Sequence, residues 1–358
     1  MKSKIYYTAA CLALMLFTCE MTRAQGCVAV KNMGSHSLNY GDDAGQQGWL
    51  FSMNYRYFRS FRHFKGTEEQ KERLVDNTEV INNDHSIILG VDYRINSKWN
   101  VSLQAPLIYI DRSSLYEHDR QNRHHTQSKG LGDLRLIGYY NFTAGQSNSF
   151  QLGLGVKLPT GNENYKDYFY TAEGPQLRPV DQSIQLGDGG TGIILEFNSL
   201  HEIASNTSLY VNTLYMSNPR NTNGTRTFRE TLSPLLANEA IMSVPDQYFV
   251  RAGVSYSIQH KLSFGAGVRM EGIPVEDLIG ESGGFRRPGY IISGEPTIGY
   301  MQGPHTINLS FPIALVRNRT QSLTDKETQK LTGTPRHGDA AFADWLLSIT
   351  YAYRLARQ

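Results

Sequence analysis

The chain has 358 residues, room for one large domain or two. Its 35 basic and 33 acidic residues leave a net charge of +2, which argues against a nucleic-acid binder. No run beyond the N-terminus approaches the roughly twenty apolar residues of a membrane helix, while 21 tyrosines and 33 glycines suit an all-β protein with aromatic belts.

Residues 1–24 read as a signal peptide. Lys2 and Lys4 precede an apolar run over residues 9–17, and Thr22-Arg23-Ala24 supplies the small-residue cleavage site. Cys11 and Cys19 leave with it, so Cys27 alone remains and no internal disulfide can form. Phe17 is bulky where a lipoprotein signal carries a small residue ahead of Cys19. Residues 25–47 are polar, glycine-rich and without period. They are either a disordered lead-in or a plug for the domain that begins at residue 48.

From residue 48 to 358 the chain alternates with a period of two, which puts successive side chains on opposite faces of a strand. Trp49, Phe51, Met53, Tyr55 and Tyr57 face one way, and Ser52, Asn54 and Arg56 the other. A charged stretch including GTEEQKER cannot sit in lipid. Ile87, Leu89, Val91 and Tyr93 then alternate with Asp92 and Arg94, and after a short turn Val101, Leu103 and Leu107 alternate with Ser102 and Gln104. A polar stretch leads to the clearest hairpin, GLGDLRLIGYYNF and FQLGLGVKLPTG. Its arms put Leu134, Leu136, Tyr140 and Phe142, then Phe150, Leu152, Leu154 and Val156, on one parity. Asp133, Arg135 and Lys157 fall on the other. Further pairs follow around Leu195 and Leu209, Val250 and Leu262, and Ile292 and Ile307, with a last strand through Trp345, Leu347, Ile349, Tyr351 and Tyr353.

The sum is twelve strands with long and short connections alternating strictly. Strands of about ten residues cross a tilted bilayer path, and only a closed sheet satisfies every backbone group in lipid. The predicted fold is therefore a closed antiparallel transmembrane β-barrel. Its place is the bacterial outer membrane, with short turns and both termini periplasmic and long loops extracellular. The aromatic end of the last strand suits recognition by barrel-assembly machinery. Pro106, Pro159, Pro296 and Pro312 each delete a ladder donor, so bulges or strand ends are expected there.

Parity assigns Arg56, Arg94, Arg135, Lys157, Arg251, Arg269 and Arg354 to the lumen, with Asp92, Asp133, Glu196, Glu271, Glu295 and Asp344. The signs nearly cancel, so the lumen is either closed by ion pairs or a weakly selective polar path. Tyr165, Tyr168, Phe169 and Tyr170 offer either an aromatic platform for a ring-bearing solute or part of the girdle. Arg59, Arg62, Lys65, Arg120, Arg123, Arg286 and Arg287 are placed to meet lipopolysaccharide phosphates, or are ordinary solvated charges. Enzymatic signals are weak. GESGG at 280–284 matches G-x-S-x-G around Ser282, but in a glycine-rich loop rather than a strand-to-helix elbow. His124-His125 lacks metal-ligand spacing. No cofactor, metal or catalytic residue is predicted.

The motif GLGDLRL…GLGVKLPTG resembles a family of outer-membrane channels named for the meta-pathway of phenol degradation, distantly similar to the long-chain fatty-acid transporters. RYFRSFRHFKGTEEQKER and GIPVEDLIGESGGFRRPG look like further segments of such proteins. The resemblance implies a barrel and the passage of small hydrophobic or aromatic molecules. The Asn-Pro-Ala turn of the fatty-acid transporters' N-terminal hatch is missing from residues 25–47, so no binding residue carries over. The expected function is an outer-membrane channel or transporter for small solutes. The alternative is a non-conducting structural or docking barrel.

Overall fold

The computed structural model describes residues 47–143, 148–229 and 231–356. The signal peptide, and the lead-in apart from Gln47, lie outside them.

Twelve antiparallel strands close into a barrel. In chain order they are β1 Gly48–Lys65, β2 Ile81–Arg94, β3 Trp99–Ser114, β4 Leu134–Thr143, β5 Asn148–Leu158 and β6 Gly192–Ala204. They continue as β7 Thr207–Ser217, β8 Gln247–Ile258, β9 Leu262–Ile273 and β10 Gly289–Gln302. Strand β11 comes in two pieces, His305–Ser310 and Ile313–Arg319, and β12 is Ala340–Ala356. Each strand pairs with its sequence neighbour. Closure comes from β1 against β12, with Gly48 opposite Ala356 and Phe64 opposite Ala340. No described helix is long and apolar enough to cross a membrane.

The parity read from the sequence is the parity of the wall. Leu154, Leu195, Val268 and Leu315 point outward at mid-strand and are more than half exposed. Aromatic side chains gather at both ends of the outer surface. At the short-turn end Trp49 lies 4.5 Å from Tyr93, Trp99 4.9 Å from Tyr140, and Phe142 stacks on Phe150 at 5.2 Å between ring centroids. At the long-loop end Tyr57, His85, Trp345 and Phe311 form the matching band. Two such belts are what amphipathic rings at two membrane–water boundaries produce.

The prolines mark the interruptions of the ladder, as expected. The Pro106 carbonyl accepts from Gly132 N at 2.8 Å, where β3 changes partner from β4 to the strand His124–Leu131. Pro296 faces the break in β11, its carbonyl accepting from Phe311 N at 3.1 Å. Pro312 lies in that break, and Pro159 follows the last residue of β5. A missing N–H is harmless where the neighbouring strand offers no acceptor. The short turn after β8 places both Gln259 and His260 at positive φ, 50° and 54°, the twist that suits a tight hairpin.

The long connections are more structured than their polar composition suggests. Strand β1 runs to Lys65, and β3 continues past Asp111 to pair with His124–Leu131. The loop after β5 holds a hairpin, Lys166–Thr171 with Gly174–Pro179, and a single helical turn at Gln182–Ile184. The last loop contains a helix, Leu323–Thr332. Ser322 and Asp325 form its capping box and Gly333 its left-handed end.

Candidate solute site in the lumen

Residues 180–188 turn back into the barrel mouth. Val180, Ile184 and Leu186 pack on Ile108 and Ile110 of the inner face of β3, with Tyr165 beside them. The GLGD…LPTG motif is the seat of this lid. Thr160 Oγ donates to Gly132 O at 2.8 Å and accepts from Leu134 N at 2.9 Å, tying the two motif halves together. Asp133 Oδ1 accepts from Gly161 N at 3.0 Å, and Oδ2 from Asp188 N at 3.3 Å. Lys157 is 2 % exposed, paired with Asp188 and 3.6 Å from Asp133. A Cβ on Gly187 would lie 2.5 Å from Asp133 Oδ1 and 2.6 Å from Gly161 O, so the lid approaches the wall only as bare backbone.

Buried ion pairs fasten the lid to the other long loops. Arg287 grips Asp181 with two hydrogen bonds, 2.8 and 2.5 Å. Arg112 reaches the same carboxylate at 3.5 Å and holds Glu117, Asn82 and Ser183. Buried Arg112 and partly buried Arg287 hold Asp181 well below the usual carboxylate range, against the opposing effect of burial. Gln182 Nε2 donates to Ser243 O at 2.9 Å. Arg286 pairs doubly with Asp277, which accepts from Asp246 N, and Asp246 in turn accepts from Tyr215 OH at 2.7 Å.

Beneath the lid lies a cavity of about 90 Å³. Asp133, Arg135, Lys157 and Asp188 form its charged side, and Leu186, Met216, Met242, Pro245 and Ile273 its apolar side. From Met216 an apolar strip continues over the inner wall through Ile137, Tyr139, Ile194, Leu214 and Phe249. Alternation had assigned this inner parity to polar residues and glycine. The strip was nonetheless marked in the sequence, because at Leu136-Ile137, Ile193-Ile194-Leu195 and Leu214-Tyr215-Met216 both parities are apolar.

Towards the short-turn end the wall is polar, and its amides form a chain across six strands. Arg251 Nε donates to Asn212, Asn212 to Asn198, Asn198 to Gln151, Gln151 to Asn141 and Asn141 to Asn100, at 2.7 to 3.0 Å. None of these amides figures among the charged lumen residues picked out by parity. A neutral amide both donates and accepts, so each satisfies its neighbour without charge.

The residues singled out by parity do not all share one environment. Arg56, Asp92, Arg94, Asp133, Arg135 and Lys157 are buried, as are Glu196, Arg269, Glu271 and Glu295, while Arg251 and Arg354 are partly exposed. Glu196 accepts from Tyr139 OH at 2.8 Å, Arg269 pairs with Glu271 at 2.8 Å, and Arg251 approaches Glu295 at 3.5 Å. Asp344 instead joins Arg62 and Arg317 at the long-loop end. Among the loop aromatics, Phe169 is fully buried between His118 and Phe228, and Tyr165 packs under the lid. Only Tyr168 and Tyr170 are exposed, so the four rings form no single platform. Of the basic residues, Arg59, Lys65 and Arg120 remain exposed, while Arg62, Arg123, Arg286 and Arg287 are paired with acids. Ser282 Oγ accepts from Asp277 N within its loop. Among the described residues no group of three metal-ligating side chains comes together.

The sequence matches no protein-family model and no curated protein. The fold does have solved counterparts. An outer membrane channel from Pseudomonas putida F1 superposes with a TM-score of 0.58 at 11 % identity, covering 88 % of this chain and 99 % of that one. At that identity the likeness establishes the fold alone, a closed antiparallel β-barrel. A Pseudomonas aeruginosa FadL homologue (TM-score 0.43, 8 % identity, 86 % and 90 % coverage) and the P. putida toluene transporter TodX (0.40, 10 %, 87 % and 91 %) are similar only in outline.

Proposed function

We propose that the chain is an outer-membrane channel for small solutes with substantial apolar surface. The observation that carries this reading is the apolar strip from Met216 to Phe249 on the inner wall, continuous with the cavity under the lid. A lumen serving only ions gains nothing from apolar wall, whereas an apolar solute leaving water gains about 25 cal/mol for each Å² it buries. The GLGD…LPTG resemblance to the phenol-pathway channels points the same way. In this reading the long loops face outward and both termini face the periplasm. Exposed Arg59, Lys65 and Arg120 then meet lipopolysaccharide phosphates, and the barrel-assembly machinery inserts the chain.

The paired loops at the mouth favour a second reading, a sealed barrel that serves as a docking component. Flux separates the two. In cells with a lipopolysaccharide-bearing outer membrane, expression should speed entry of the hydrophobic probe N-phenylnaphthylamine severalfold over an empty vector. Leu214→Gln with Phe249→Gln should reduce that gain while leaving surface-exposed barrel intact. No gain in probe entry, together with silence in planar bilayers, would leave the docking reading standing.

A further inference from the structure

The cavity under the lid has a specific unmet chemistry. Its charges answer one another, Lys157 being held by Asp188 and Asp133. Two neutral groups in its lining are not answered. Ser243 Oγ, in a residue 1 % exposed, and Gln247 Oε1 are both buried without a hydrogen-bond partner. A buried polar atom left without a partner is costly, and a bound molecule can remove that cost. The Ser243 hydroxyl can give a proton and Gln247 Oε1 can only accept one. A ligand hydroxyl is the simple group that serves both, accepting from Ser243 and donating to Gln247. A carboxylate serves the serine alone and presents a second acceptor to the glutamine oxygen.

The rest of the lining suits an apolar body. Met216 and Met242 carry adaptable, polarisable thioethers, and Leu186, Pro245 and Ile273 complete that side. The volume of about 90 Å³ is below the roughly 150 Å³ that houses a benzene ring, so the ligand is compact.

We propose that this cavity is a binding subsite for small uncharged alcohols, molecules with a compact apolar body and one hydroxyl. The inference rests on the channel reading above and names a solute class that this one subsite holds, within the wider range that the apolar wall lets pass. It makes Ser243 and Gln247 the residues that set specificity, and it discriminates against both hydrocarbons and carboxylates.

Ethanol, ethane and propionate, all smaller than benzene, differ only in the group at issue. The full chain, folded in detergent with methyl-labelled methionine, is titrated with each, and the Met216 and Met242 methyl signals are followed by NMR after assignment by Met→Leu replacement. Ethanol should shift both signals saturably, with the other two binding roughly tenfold more weakly, the loss expected for about 1.4 kcal/mol of hydrogen bonding. Gln247→Leu should bring the alcohol down to the level of ethane. Ser243→Ala gives an independent reading should the leucine variant not fold. Equal binding of alcohol and hydrocarbon, preference for the carboxylate, or unchanged alcohol binding in the folded variants would overturn the assignment. Probe entry without any methionine shift would overturn this subsite and leave the channel reading intact; methionine shifts without entry would do the reverse.

Discussion

Gly187 and Gly161 meet where the lid touches the wall, and the space between them decides whether the mouth stays closed. A methyl group at residue 187 would fall within 2.6 Å of both Asp133 Oδ1 and the Gly161 carbonyl. The carbonyl belongs to a backbone anchored by Asp133, so the lid is the part that must move. Gly187→Ala should cost about 1–3 kcal/mol, the usual penalty of overpacking, and should raise single-channel conductance. Conductance recordings beside a thermal melt test both, and a silent, fully stable variant would show that the lid is not seated through this contact. Asp133→Asn should act in the same direction. An amide can still accept from one backbone N–H but loses the charge that faces Lys157. The motif glycines and Asp133 were legible in the sequence as a hairpin and a lumen charge. Their role as a seat was not, because Asp188, which completes it, comes 55 residues after Asp133.

At the scale of elements, the hairpin Lys166–Thr171 with Gly174–Pro179 leads directly into the lid and is docked through imidazole chemistry. His118 Nδ1 accepts from Tyr170 N at 3.1 Å, and the ring stacks on Phe169 at 5.4 Å. Burial pushes the His118 pKa down to about 4, helped by His124, His125 and Arg112 and opposed by Asp119. The folded state therefore binds this proton less readily than the unfolded state, whose imidazole titrates near its ordinary value of about 6.5. The contribution of His118 to stability is complete above that value and is lost as pH falls from there towards 4. Hydrogen exchange of the hairpin amides, corrected for intrinsic rates, should rise between pH 7 and pH 4.5 and rise less in His118→Gln. A flat profile would remove His118 as the sensitive group. Asp181 behaves differently. Its depressed pKa keeps the Arg287 pair intact until pH falls below the carboxylate range, so mild acid should loosen the hairpin before it breaks that latch. Such docking could not be read from the chain. Alternation reports only which face a side chain takes, and the Asp181–Arg287 pair spans 106 residues. The barrel strands were legible because lipid and lumen impose a period of two on each strand separately. The prolines were legible for a related reason, since a missing N–H marks a gap in the ladder whatever the partner.

For the whole molecule, the decisive question is which solvent touches the outside. All three tryptophans answer it together. Trp49, Trp99 and Trp345 are 43 %, 50 % and 38 % exposed on the outer face, and each sits in an aromatic band rather than at mid-strand. Strands of ten to eighteen residues place those bands at the two boundaries of a hydrocarbon layer about 30 Å thick. Indole is stable at such a boundary because its ring leaves water while its N–H keeps a polar partner. Reconstituted in vesicles with brominated acyl chains, the protein should lose most of its tryptophan emission. Bromine placed near the headgroup should quench more than bromine at the chain end. Phe replacements that leave one tryptophan at a time should give the same shallow profile for Trp49 and Trp99 at one boundary and Trp345 at the other. Emission indifferent to bromine would mean that water, not lipid, faces this wall, and the lumen, the lid and the subsite would all lose their premise.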